Sequence, residues 1–243
     1  MSAPSVDIAE YDLRYRDIFW ASRDYEDRCD RIAIRALLPP AGERLVEVGA
    51  GFGRLAGLYA GYRSVVLFDA SEQLLQAARE RLGGDPRVEF VLGDAYELPF
   101  ADASFDTLVC VRVMHNFADP GAALREFARV LRPGGSLVLE FANKRHLKAI
   151  ARWALRRQCW SPFSEQEHEY LPLHFDRSPR HIRRLLVAAG FTVGPQRAVS
   201  LFRLGALTEH VPLRLLAGLE RRLQSPLGGL AIGPSVYLRA TRT

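Results

Sequence analysis

The sequence predicts an α/β fold built on an open, mostly parallel sheet with helices on both faces. Three observations predict it. First, short apolar segments rich in Val, Leu and Phe alternate with longer segments of helical periodicity, the pattern of parallel strands covered on both sides. Second, the loop Gly49-Ala50-Gly51-Phe52-Gly53 follows the first apolar segment directly. Third, Glu47, Asp69 and Asp94 fall at the ends of three successive apolar segments. Ligands of open parallel sheets bind beyond those ends.

The elements follow in order. Residues 6–38 read as helical, because Tyr11, Tyr15, Ile18, Phe19, Ile32 and Leu37 recur at helical spacing until Pro39-Pro40 stops the run. Residues 45–49 are a short apolar strand and 54–62 the helix after it. Residues 64–69 form a second strand, and 72–82 a helix closed by Gly83-Gly84. Residues 88–92 and 105–112 are the third and fourth strands. A helix over 122–131 stops at Pro133-Gly134-Gly135, and 136–141 is the fifth strand. Residues 180–189 are a helix ended by Gly190, and 192–201 and 235–241 are two final strands. Residues 212–223 form an amphipathic helix between those two strands. The stretches 143–178 and 203–233 break the alternation and are expected to be helical caps over a site. One domain of 1–243 is expected, with 1–40 as an N-terminal helical lid and 41–142 as the ligand-binding core.

Hydrophobic residues make up 48% of the 243 and charged residues 25%, a soluble globular profile. No basic, apolar leader opens the chain, which points to the cytoplasm. Cys29, Cys110 and Cys159 are scattered without a Cys-x-x-Cys pair, so neither a disulfide framework nor a metal site is expected. The net charge of +5 hides an asymmetry. Residues 1–140 hold 16 Lys and Arg against 22 Asp and Glu, whereas residues 141–243 hold 17 against 6. The basic half suggests an anionic partner, or else a solvated arginine-rich exterior.

The glycine loop is not a dinucleotide fingerprint. That motif needs a third glycine at position 54, which is Arg54; the glycine comes one residue early, at Gly53. No Gly-Lys-Ser/Thr follows, which excludes a phosphate-cradling P-loop. Glu47 would repel a pyrophosphate but suits an ammonium or sulfonium. Asp69 is placed to accept from a ribose diol, and Asp94 from an exocyclic adenine amine.

On these residues the chain resembles the class I, Rossmann-like S-adenosylmethionine-dependent methyltransferases, especially the small-molecule enzymes of the ubiquinone and menaquinone biosynthesis type. The matching segments are 47–53, Asp69, Gly93-Asp94-Ala95, 98–106 and Arg129-Val130-Leu131-Arg132-Pro133-Gly134-Gly135. The resemblance implies a seven-stranded sheet with an antiparallel last strand. It implies S-adenosyl-L-methionine as cofactor and S-adenosyl-L-homocysteine as product. Gly49 and Gly51, with Ala50 and Gly53 in the same loop, would line the methionine and ribose. Asp69 and Ala70 would meet the ribose, Asp94 and Ala95 the adenine edge, and Arg112 the methionine ammonium through its backbone. Tyr15 and Tyr25, in an aromatic-rich N-terminal region, are candidates for contacts to the cofactor.

In-line methyl transfer needs alignment and exclusion of water more than a dedicated catalytic group. His115, after the fourth strand, is the candidate base or orienting residue. The fourth strand runs into Val111-Arg112-Val113-Met114 rather than the Asn/Asp-Pro-Pro-Tyr/Phe of amino-methylating DNA enzymes. Cys110, inside an apolar strand, is a poor nucleophile. The expected acceptor is a small, apolar or lipid-like molecule. A nucleic-acid methyltransferase and a non-catalytic S-adenosylmethionine-binding protein are the alternatives. Residues 144–157 read as a basic amphipathic helix, with Lys144, Lys148, Arg152 and Arg156 on one stripe. It suits either peripheral membrane contact or a lid with solvated charges.

Overall fold

The computed structural model describes residues 13–172, 174–203 and 205–243. Tyr11, expected on the first helix, lies outside the described residues. The strands are β1 (Gly42–Val48), β2 (Tyr62–Asp69), β3 (Val88–Leu92), β4 (Phe105–Cys110), β5 (Leu131–Ala142), β6 (His168–Leu171), β7 (His174–Asp176), β8 (Phe191–Val199) and β9 (Ser235–Arg242). The helices are α1 (Asp24–Leu37), α2 (Glu72–Leu82), α3 (Pro120–Val130), α4 (Leu147–Ala154), α5 (Pro179–Ala188), α6 (Gly205–His210) and α7 (Leu213–Leu223).

Seven strands form one sheet in the order β3-β2-β1-β4-β5-β9-β8. β1 pairs in parallel with both β2 and β4, so the chain reverses its direction of travel between β1 and β4. That reversal opens a crevice at the carboxyl ends of these two strands. β9 runs antiparallel to both β5 and β8. The α/β class, the sheet and its single reversed strand are therefore as expected.

The strand sequences explain the layers. All six residues of β4 are buried, as a strand covered on both faces requires. Alternate side chains enter opposite cores. Val46, Val48, Val66 and Leu108 join Phe127 of α3 and Leu186 of α5. Leu45, Leu67, Val109 and Val138 join Ile34 of α1 and Leu216 of α7. Each fully buried Leu or Phe contributes roughly 1.5–3 kcal/mol. Local signals set the helix starts. The Ser71 hydroxyl caps α2 by accepting from the Leu74 amide, and Asp119 caps α3 through Ala122 N, with Pro120 next in the chain.

Five local expectations are corrected. The helix expected over 54–62 is a single 3-10 turn, Ala56–Leu58. Gly57 and Gly61 weaken a helix there, and Gly61 packs so tightly on Pro40 that a Cβ would sit 2.1 Å from its carbonyl oxygen. The fourth strand stops at Cys110 because Arg112 turns the chain with φ +64°. The N-terminal helix is broken. A π-helical turn, Tyr15–Phe19, precedes α1, and Arg23 stands between them in a non-helical conformation. The first cap is not wholly helical: after α4 it forms the hairpin β6–β7. Its basic stripe is also shorter than expected. Lys144 precedes α4, is 2% exposed, and donates to Ser164 Oγ at 2.6 Å and to the Gln166 carbonyl.

Candidate active site

The glycine loop is shaped by its neighbours. Gly49, Gly51 and Gly53 have φ of +77°, +53° and +71°. Gly49 is irreplaceable on two counts. Its conformation is left-handed, and a Cβ would sit 2.0 Å from Val113 Cγ2. Its amide and that of Ala50 both donate to the Phe68 carbonyl, at 2.8 and 3.0 Å. At Gly51 a Cβ would meet only Leu74 Cδ1, at 3.8 Å. The loop therefore packs tightly at both ends and leaves its middle open.

Asp69 ends β2 beside that opening. Its Oδ2 accepts from Gly51 N at 2.7 Å and its Oδ1 from Ser71 N at 2.8 Å. Burial raises its pKa, and the backbone amides of Ser71, Gly51 and Ala70 oppose the rise. Each oxygen keeps a lone pair for a diol. Asp94, exposed, accepts from Tyr96 N at 2.9 Å, and Ala95 beside it is buried. Glu47 is 2% exposed, and its Oε2 has no hydrogen-bond partner among the described residues. Burial pushes its carboxyl up to about 8, while Tyr59 and Arg54 pull it down.

Above Glu47 lies a buried ionic cluster that the sequence reading missed. Asp30 of α1 is fully buried. It takes Arg54 Nη2 at 3.0 Å and Arg112 Nη2 at 2.8 Å. Asp27 holds Arg54 from the other side at 2.5 Å, and the Arg54 guanidinium lies 3.7 Å above the Trp20 ring centroid. The cluster ties α1 to the glycine loop and to the chain after β4. Its signal was faint: Asp27 and Asp30 lie one helical turn apart. Arg112 is thus clamped by Asp30, and its amide donates to the buried Glu140 Oε2 at 2.9 Å. An acid inside the apolar run Ser136-Leu137-Val138-Leu139-Glu140 was the available clue to Glu140.

A cavity of about 1020 Å³ adjoins this cluster. Tyr15, Arg112 and His115 line it at the end of β4, and α4, the β6–β7 hairpin and the chain after β8 complete its wall. His115 is neutral across the physiological range. Burial, then His174, Arg112 and Arg177, hold it down to about 3. Its ring lies 5.6 Å from that of His174. It is therefore suited to orienting a ligand more than to retaining a proton. Tyr25 is elsewhere: its hydroxyl donates to Glu220 Oε2 at 2.9 Å and accepts from Phe202 N at 2.9 Å. It joins α1 to α7 and takes no part in the wall of the cavity.

Residues 46–139 match the family model described as a methyltransferase domain. The chain is 45% identical over 120 residues to the demethylmenaquinone methyltransferase of Clavibacter sepedonicus, covering 48% of this chain and 49% of that one. It thus spans about half the length of that relative. It is 32% identical over 209 residues to the ubiquinone/menaquinone biosynthesis C-methyltransferase UbiE of Rubrivivax gelatinosus, covering 77% of this chain and 82% of that one. The chain belongs to the class I S-adenosylmethionine-dependent methyltransferases. The fold agrees. An S-adenosylmethionine-dependent methyltransferase from Mesorhizobium loti superposes with a TM-score of 0.63 at 22% identity, covering 88% of this chain and 98% of that one.

This methyltransferase presents groups that fit the family's cofactor. The open middle of the glycine loop, the remaining lone pairs of Asp69 and the partnerless Glu47 oxygen suit a ribose and an ammonium. Among the described residues no three His, Cys, Asp or Glu are grouped to hold a metal. No described helix is long and apolar enough to cross a membrane.

Proposed function

We propose that the protein transfers a methyl group from S-adenosylmethionine to a small, largely apolar acceptor held in the 1020 Å³ cavity. The observation that carries this reading is the position of the cavity. It meets the chain after β4 at Arg112 and His115, and Val113 between them packs against Gly49 of the glycine loop. When bound, S-adenosylmethionine supplies a methyl group activated on a sulfonium. Asp69 holds the ribose, Asp94 and Ala95 border the adenine, and Glu47 with the Gly49–Gly53 loop receives the amino-acid end. Tyr15 closes the boundary between the two sites, and residues 13–23 ahead of α1 act as the lid. His115 positions the acceptor, and the aromatic and aliphatic wall excludes water during the displacement.

The apolar acceptor is supported by the wall itself, which includes Phe19, Leu171, Phe202, Leu223, Leu227 and Ile232. The quinone-biosynthesis names of its relatives point the same way. A basic groove for nucleic acid is the weaker reading, because the cavity is walled by α4 and the β6–β7 hairpin rather than left as an open track. A lipid-like acceptor would be collected at a membrane surface. Exposed Leu147, Trp153, Leu155 and Phe163 sit beside exposed Arg156 and Arg157 within or next to the 144–157 segment, a composition suited to peripheral contact from the cytoplasm. Titration calorimetry with S-adenosylmethionine and S-adenosylhomocysteine tests the cofactor site. Release of S-adenosylhomocysteine in the presence of a reduced, short-chain demethylnaphthoquinone or of bulk RNA tests the acceptor. Binding without turnover on any apolar acceptor would favour a non-catalytic role, and turnover on RNA alone would refute the apolar reading.

A further inference from the structure

The cavity wall is electrically lopsided. Arg23, Arg112, Lys148, Arg152 and Arg203 line it, against the carboxylates Glu140 and Asp176. Arg112 and Glu140 belong to the buried cluster at the cofactor end. Arg23 and Arg203 share one carboxylate behind the wall, Glu26, at 3.1 and 3.3 Å. Arg152 spends its Nε on Gln158 Oε1 at 3.1 Å and pairs with no carboxylate among the described residues. Lys148 has no ion pair among them. The far end of the cavity therefore holds more positive charge than its own acids neutralise.

His146 adds a directed donor to this end. It lines the cavity and caps α4, its Nδ1 accepting from Ala149 N at 3.3 Å. Burial holds its imidazole down to about 4, and the charges of Arg152, Lys148 and Arg203 act in the same direction. A neutral ring whose Nδ1 accepts must carry its proton on Nε2. Three cations and a neutral N–H donor thus converge from α4, its cap and the chain after β8. The opposing charge is Asp176 on β7, which burial pushes up to about 6 against Arg152, Arg203 and Lys144. Glu140 on β5 and Tyr170 on β6 also face this space.

We propose that the far end of the cavity is an anion subsite formed by Arg152, Arg203, Lys148 and His146, and that the acceptor is an amphiphile with one acidic group seated there. Its apolar body lies along Phe19, Leu171, Leu223, Leu227 and Ile232, with the reacting atom toward Arg112 and His115. The inference rests on the proposed methyltransferase reading and narrows its acceptor class. Charge-assisted hydrogen bonds from guanidinium and imidazole groups in a partly desolvated pocket favour a carboxylate or phosphate over a neutral headgroup.

The test uses the full chain saturated with S-adenosylhomocysteine, and two probes of equal length, decanoate and decan-1-ol, by titration calorimetry. Decanoate is expected to bind at least about ten-fold tighter than the alcohol. Decyl phosphate in place of decanoate separates the two acid types, and preference over the alcohol by either one supports the subsite. Arg152→Gln and Arg203→Gln should each remove most of the preference while leaving alcohol affinity and circular dichroism unchanged. Asp176→Asn should tighten decanoate. Equal affinity for acids and alcohol, an unchanged preference in both arginine variants, or weaker decanoate binding by Asp176→Asn would overturn the subsite. Failure to bind S-adenosylhomocysteine would instead overturn the methyltransferase reading, so the two failures are distinguishable.

Discussion

Replacing Asp30 by Ala probes the cluster that ties α1 to the glycine loop and to the chain after β4. Asp30 is fully buried and makes three hydrogen bonds, one to Arg54 at 3.0 Å and two to Arg112 at 2.8 and 3.3 Å. Arg54 retains Asp27 after the substitution. Among the described residues Arg112 then has no carboxylate at ion-pair distance, so a nearly buried guanidinium loses its paired acid, with only the more distant charge of Glu140 acting on it. Removing one partner of a buried pair costs about 3–5 kcal/mol. For a domain of this size each kcal/mol lowers Tm by about 2–4 °C, so a drop of roughly 6–20 °C is expected. Urea unfolding followed by far-ultraviolet circular dichroism gives the free energy directly. The paired change Asp30→Leu with Arg112→Met should recover much of the loss, because it removes both charges together. A loss below about 1 kcal/mol for Asp30→Ala would refute the reasoning, since that is the value of a solvated surface pair.

Asp69→Ala should weaken S-adenosylmethionine binding by at least about ten-fold, from the loss of a buried charged acceptor worth about 1.5–3 kcal/mol; a change within two-fold by calorimetry would remove Asp69 from the ribose site. Glu47→Gln should alter the pH profile of stability. The folded carboxyl is raised from near 4.5 to about 8, so the native state binds the extra proton and its stability falls as pH rises between those values. The variant should show a flatter profile over that window and be the more stable protein at pH 9; an unchanged slope would contradict the assignment. Tyr25→Phe should cost about 1–3 kcal/mol, because Phe202 N loses its acceptor and Glu220 a donor. Cofactor affinity should not move, and a large change there would place Tyr25 back in the site.

The positions of the glycine loop, Asp69 and Asp94 at the ends of strands were legible because their signals are local. Residue type, spacing and position at a strand end are all read from a short stretch of chain. The same holds for α2 and β3, whose bounds follow from apolar runs and caps, and for the end of β2, which begins two residues earlier than expected. The segment after Gly53 was misread because a run of helical periodicity does not reveal that Gly61 must lie against Pro40. The first cap was misread because residues 143–178 lack the regular pattern that separates a hairpin from a helix. Tyr15 and Tyr25 carried the same sequence signal, yet one lines the cavity and the other is bonded between α1 and α7.

By itself the sequence determined the α/β class, the cofactor-type loop and the acids at the strand tips. Those properties depend on alternation, backbone conformation and neighbouring residues. Only the tertiary structure decided that Asp30 would join Arg54 to Arg112, and that Arg152, Arg203 and His146 would face one cavity. Asp30 and Arg112 are 82 residues apart in the chain. Their contact exists because α1 packs on one face of the sheet and places Asp30 near the carboxyl end of β4, and no local pattern encodes that distance.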